Sequence, residues 1–322
     1  MIRISIIFAL LAGILASAQS RTPVLIDTDI GDAVDDSLAL SLALSSPELD
    51  VRGVTTVVDD VESKARLAWK ELGLFGHRDI PVVMGASEPL LDPTMQTHPR
   101  ALQVLTPADK IPGGAQRAAT FIVETVMNSR DRLTLIGLGP LTNFALALKT
   151  EPRIKQRIER IVLMGGAFSD KQPGGSQVEY NIKRDPVAAE IVFSSGVPIL
   201  AAGLEVTTPC KLRSDDLESL RVAQSPAARF LLRQIELSQS EADPLPTLYD
   251  PLAVAAVFRP DLIETAEGKV EVSLANDATR GRTRFTPAPG ETTRVAVNVN
   301  ARAFLDLFIK RIAAVGFPGG VR

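Results

Sequence analysis

Five carboxylates, Asp27, Asp29, Asp32, Asp35 and Asp36, crowd into ten residues of the stretch VLIDTDIGDAVDDSLALSLAL, Val24–Leu44. Apolar runs flank them on both sides. Val24-Leu25-Ile26 reads as a short buried parallel strand, and Ser37–Leu44 is apolar and long enough to begin a buried helix. The acids therefore occupy a strand-to-helix turn, which in an open α/β sheet lies at the carboxyl edge of the strands, where ligands bind. A helix N-terminus favours negative charge by only about 0.3–1 kcal/mol, too little to hold five like charges together. A hard divalent cation would suffice, since Ca²⁺ takes six to eight oxygen ligands. The competing reading is that Asp32 or Asp35 caps the helix and the others are solvated.

Two other acid-rich patterns do not fit. Counted from Asp27, the fifth and sixth positions of an EF-hand loop fall on Gly31 and Asp32 and the twelfth on Leu38, where that loop needs an acid or amide, Gly and Glu. An aspartyl-nucleophile phosphatase could carry Asp-x-Asp after its first strand. No convincing Lys and paired-acid partners for it follow.

With 322 residues, 45% of them apolar, the chain can bury a large core and is read as one large domain. A net charge of −3 with scattered basic residues gives no reason to expect nucleic acid or an anionic membrane as partner. Met1–Ala18 has Arg3, an apolar stretch from Ile4 to Leu15 and then Ala16-Ser17-Ala18, the three regions of a secretory signal peptide. The expectation is an exported protein of residues 19–322, periplasmic or secreted, with no membrane span. The alternative is a buried first helix. A single cysteine, Cys210, excludes an internal disulfide.

Strand and helix patterns then alternate. Val51–Val58, Ile80–Met84, Leu133–Leu138, Ile161–Met164 and Pro198–Gly203 read as strands, with helices over Val61–Phe75, Ala115–Asn128 and from near Leu141. Cap-then-proline pairs at Asp185-Pro186, Ser225-Pro226 and Asp250-Pro251 mark helix starts. Val270–Leu274 and Arg294–Val299 read as strands before a closing helix, Ala301–Val315. Ala86–Gly114 is a proline-punctuated loop without clean periodicity, and Phe168–Ser176 a Gly-rich loop. The alternation predicts a mostly parallel central sheet with helices on both faces.

Several blocks in order resemble one family, the inosine-uridine-preferring nucleoside hydrolases. These are the acid turn Asp27–Asp36, GVTTVV at Gly53–Val58, LTLIGLGPLTN at Leu133–Asn143, VLMGGAF at Val162–Phe168, EYNIKRDPVAA at Glu179–Ala189, GLEVT at Gly203–Thr207 and YDPLAV at Tyr249–Val254. The resemblance implies a single-domain α/β fold and a site with one Ca²⁺. Carried over, the metal ligands are Asp29, Asp36, the backbone carbonyl of Leu138 and Asp250, and Asp29 is also the general base for the attacking water. Asp35, Glu179 and Asn181 match positions that hydrogen-bond ribose hydroxyls, and Met164 lines the sugar pocket. Dimers or tetramers are also implied. From the residues alone, Asp185 and Asp250 could merely cap helices, Met164 could be core, and Asn181 could satisfy backbone groups.

The chain departs from the family pattern at three places. The acid turn is two residues longer, with Asp32-Ala33-Val34 between Gly31 and Asp35. After the second strand Asp60, preceded by Asp59, replaces the familiar Asn at a ribose-binding position. Tyr249 stands before Asp250 where relatives often carry a His that protonates the departing base, and of the chain's two histidines only His98 lies in the loop after the third strand. Tyr249 could donate through its phenol. The expected function is Ca²⁺-dependent hydrolysis of ribonucleosides to ribose and free base. The rival is a non-catalytic Ca²⁺-dependent nucleoside- or sugar-binding protein outside the cytoplasm.

Overall fold

The computed structural model describes residues 21–91, 99–111, 117–169, 178–223, 225–239 and 245–314. The leader at Met1–Ala18, His98 and most of the Phe168–Ser176 loop lie outside them. The chain alternates as its patterns predict: β1 (Thr22–Thr28), α1 (Asp35–Leu44), β2 (Leu49–Thr56), α2 (Val61–Leu74), β3 (Val82–Met84), α3 (Ala118–Asn128), β4 (Leu133–Gly137), α4 (Thr142–Thr150) and β5 (Ile158–Met164). There follow α5 (Tyr180–Arg184), α6 (Pro186–Phe193), β6 (Ile199–Ala202), α7 (Leu204–Thr207), α8 (Ser214–Ala223), α9 (Pro226–Ser238) and α10 (Tyr249–Phe258). The end is β7 (Ile263–Val272), β8 (Thr283–Pro287), β9 (Thr293–Val299) and α11 (Ala301–Ala313).

The strands form a single sheet in the order β3-β2-β1-β4-β5-β6-β9-β7-β8. From β3 to β9 every pairing is parallel, and β7 runs antiparallel to both β9 and β8. Successive strands step one way from β1 to β2 and β3, and the other way from β4 onward. The gap between the ends of β1 and β4 is thus the switch point at which open α/β sheets bind ligands. Side-chain alternation explains the layers. Val24 and Ile26 of β1 join the core under α1, α2, α10 and α11, whereas Leu25 joins the core under α3, α4 and α6. Ile136 and Val162 side with the first core, Leu135 and Ile161 with the second.

Several readings change, among them the strand expected over Val270–Leu274, which runs instead over Ile263–Val272. The β8 strand is unanticipated, since TRFTP is short, half charged or polar, and an edge strand with no buried face to impose a pattern. The short helices α5, α7 and α8 are also new. And Asp250 does not cap α10: Leu248 holds that position, Asp250 lies in the first turn, and Pro251 falls where no intrahelical N–H donor is required. By contrast Asp185 and Ser225 cap α6 and α9 by accepting from Ala188 and Ala228. Among the described residues no helix is long and apolar enough to cross a membrane.

Candidate active site

The acid turn opens directly from β1. Val34 precedes α1 without a side-chain cap, so neither Asp32 nor Asp35 takes that role, and Asp35 and Asp36 sit in the helix's first turn. The loop leaves β1 in close contact with the end of β4. A methyl group at Gly139 would stand 2.8 Å from Asp29 Oδ1 and 2.9 Å from Asp29 N, so glycine is required for that approach. On the other side, the loop after β2 holds Val58 and Asp59 in left-handed conformation, φ +52° and +57°. Such strain costs about 1–3 kcal/mol per residue and persists only where the surroundings over-determine it. Here Val58 N and Asp59 N donate to the carbonyls of Ala86 and Ser87 at 2.7 and 2.8 Å, and Arg184 clamps the Asp59 carboxylate at 2.7 Å.

Beneath the turn lies a hydrogen-bonded floor. Asn143 donates to Asp27 Oδ1 at 2.8 Å and to the Thr56 carbonyl at 3.0 Å, while its own oxygen accepts from Ala86 N at 3.0 Å. Thr55 also donates to Asp27, and Thr28 donates to Asp36. One amide therefore ties the ends of β1, β2 and β3 to the start of α4.

Above this floor opens a cavity of about 500 Å³, the size of small-molecule sites. Asp29, Asp35, Asp36, Leu138, Met164, Glu179, Asn181, Tyr249 and Asp250 all line it, joined by Asp32 and Tyr180. Asp60 does not. Its carboxylate accepts from Ser63 N at 3.0 Å and caps α2. Glu179 caps α5 from within the cavity wall, accepting from Asn181 N, Ile182 N and Gly166 N at 2.7, 3.0 and 3.1 Å. The Asn181 amide donates to the Leu138 and Met164 carbonyls at 2.8 and 3.2 Å, so the backbone-satisfying reading of that residue holds. Met164 is both core and cavity wall.

Six carboxyl groups face this one space. Burial pushes Asp29, Asp36 and Asp250 well above the ordinary carboxylate range, and neighbouring acids add to it: Asp32 and Asp35 act on Asp29, Asp29 and Asp35 on Asp36, and Asp35 and Asp36 on Asp250. Burial lifts Asp35 to about 6, and Glu179 is raised by burial despite its backbone donors. Carboxylate oxygens of Asp35, Asp36 and Asp250 lie within 4.8 Å of one another. Oxygens sharing one Ca²⁺ at about 2.3–2.6 Å stand no more than about 5 Å apart, so the trio fits a hard divalent cation in donor type, spacing and charge. Of the ligands the sequence expectation named, Asp36 and Asp250 belong to this trio, which Asp35 completes, and Asp29 lines the same cavity. There Asp29 stands against Gly139 and Asp32.

Sequence reasoning passed over Lys64, Arg184 and Tyr180. Lys64 is fully buried and pairs with Asp32 at 2.9 Å. Arg184 packs over the half-exposed Tyr180 ring with its guanidinium carbon 5.9 Å from the centroid. Only a basic residue inside the apolar stripe of a predicted helix, as Lys64 is, offered a signal.

Residues 24–306 match the family model described as inosine-uridine preferring nucleoside hydrolase. The pyrimidine-specific ribonucleoside hydrolase RihA of Citrobacter koseri is 33% identical over 310 residues, covering 90% of this chain and 98% of that one. The purine-preferring ribonucleoside hydrolase from Gardnerella vaginalis superposes with a TM-score of 0.80 at 32% identity, covering 91% of this chain and 99% of that one. The plant nucleoside hydrolase PpNRh1 gives 0.81 at 27%, covering 92% and 100%. With the parallel sheet, the acid turn at its switch point and this agreement over nearly the whole length, the chain belongs to the inosine-uridine preferring nucleoside hydrolase family.

Proposed function

We propose that the protein hydrolyses the N-glycosidic bond of ribonucleosides, giving ribose and free base, with Asp29 as general base and Ca²⁺ as the cation of the acid cluster. The observation that carries this reading is the convergence of six carboxyl groups, five of them on buried residues, on one nucleoside-sized cavity at the switch point of the sheet. Breaking a ribosyl C–N bond places positive charge on the sugar in an oxocarbenium-like state. A ring of fixed acids favours that charge before the substrate arrives. Asp29, Asp36, Asp250 and the Leu138 carbonyl, with Asp35 beside them, would hold the cation, which would supply the charge that keeps these acids ionised and the Lewis acidity that eases proton loss from water. Asp29 takes that proton. The family resemblance implies Asp35, Glu179 and Asn181 as the partners of the ribose hydroxyls and Met164 as a wall of the sugar pocket, and all four line this cavity. Tyr249, beside Asp250, is the phenol available to the departing base.

Relatives of near-equal identity are named for pyrimidine and for purine bases, so the assay panel holds both. Purified protein with millimolar calcium is expected to release free base from at least one nucleoside, and chelation should abolish release. Asp29→Asn should lower kcat by about 10²–10⁴, the worth of a positioned base, with the fold intact. Nucleoside binding without cleavage across the panel would refute the reading and favour a binding protein. Export through the Met1–Ala18 leader is part of the proposal. It is checked by the N-terminal residue of protein recovered outside the cytoplasm.

A further inference from the structure

Lys64 is among the largest fully buried side chains of the described residues, and nothing in the proposed chemistry uses it. It rises from the first turns of α2, and its ammonium has two recorded partners: Asp32 Oδ2 at 2.9 Å and the Val57 carbonyl at 3.3 Å. These belong to different loops. Asp32 is the extra acid of the lengthened turn after β1, and its backbone N–H donates to the Asp29 carbonyl at 3.2 Å. Val57 precedes the left-handed pair Val58-Asp59, whose other acid is already held by Arg184. One buried cation thus laces the base-bearing turn to the strained loop beside it.

Fold stability does not account for such a pair. Taking both charges out of water costs about as much as their attraction returns, and apolar replacements of similar volume are often neutral or stabilising. A role in placement does account for it. We infer that Lys64 is a positioning residue, which through Asp32 and the Val57 carbonyl holds the acid turn so that the Asp29 carboxylate keeps its reactive placement. The inference rests on the hydrolase reading with Asp29 as base.

The test is a double-mutant cycle of Lys64→Met and Asp32→Asn, reading kcat, KM, Tm and calcium affinity by calorimetry. An error of about 1 Å in a reacting group costs about 10²-fold. Lys64→Met is therefore expected to lower kcat about 10- to 100-fold, with KM and calcium affinity within about threefold. Its Tm also falls, because Asp32 is left buried and unpaired. The double variant should regain Tm but not kcat, its kcat staying within about twofold of Lys64→Met alone, as coupled partners do. Recovery of kcat together with Tm, or a kcat in Lys64→Met within twofold of the parent, overturns the inference. So does a tenfold loss of calcium affinity, which would make Lys64 part of metal loading instead. Should Lys64→Met not fold, Asp32→Asn alone decides, with a fall in kcat at constant KM expected and an unchanged kcat refuting. A parent protein that releases no base refutes the hydrolase reading itself, and that failure is distinct from a parent that turns over beside an unimpaired variant.

Discussion

Gly139→Ala adds one methyl group at the tightest contact of the site, and its effect can be worked from distances. The new carbon would meet Asp29 Oδ1 at 2.8 Å, Asp29 N at 2.9 Å and Val57 Cγ1 at 2.9 Å, where ordinary contacts begin at 3.4 Å. A side-chain rotation cannot relieve all three, because one of them is backbone. The end of β1 must therefore move by about 0.5 Å, and Asp29 moves with it. On a scale of about 10²-fold per Å of misplacement, kcat should fall about tenfold. Overpacking of this kind costs about 1–3 kcal/mol, which lowers Tm by several degrees. The control is Gly76→Ala, just past α2, where φ is +79° and no atom lies within 4 Å of the added carbon. It should lose about 1–2 kcal/mol through left-handed strain alone and keep its kcat. Steady-state nucleoside hydrolysis and thermal melts of both proteins read out the comparison. If Gly139→Ala turned over within twofold of the parent while melting as much lower as the control, the link between this contact and the placement of Asp29 would be wrong.

Asp60→Ala removes a helix cap and should cost about 1 kcal/mol of stability with KM for nucleosides unchanged; a severalfold rise in KM would return Asp60 to the ribose site. Glu71 is fully buried, accepts from Ser41 at 2.7 Å, and is pushed by burial to about 8. Its folded value lies above its unfolded one, so it carries no penalty at pH 4, and stability drains away as pH climbs from about 4.5 to 8. Glu71→Gln should flatten the fall of Tm over that window by several degrees, and an unaltered slope would show that Glu71 ionises freely in the fold.

The parallel half of the sheet was legible because most strands from β1 to β6 carry a short apolar run near their carboxyl ends, bounded by turn residues. The acid turn was legible because five like charges between such runs demand an explanation. What escaped notice depended on long-range partners. The third donor to Glu179, Gly166 N, comes from the end of another strand, and the Asp59–Arg184 and Asp27–Asn143 pairs join residues more than a hundred positions apart. The place of Asp35 in the tight trio could not be read from spacing either. The helix begins at Asp35, one residue after Val34, and its first turn aims Asp35 and Asp36 together toward Asp250 N, which donates to Asp35 Oδ2 at 3.2 Å.

Helix α1 is buried over nearly its entire length, with leucines, alanines and serines packed on all sides and its acids at the tip. A rod so tightly encased has no soft direction, so the acid end of the site is anchored as firmly as any part of the molecule. The opposite wall includes Tyr180, 47% exposed on a five-residue helix. Changes in what the enzyme accepts can accumulate along that outer wall without disturbing the machinery at the tip, whereas even a single methylene added along the rod would be felt at the carboxylates.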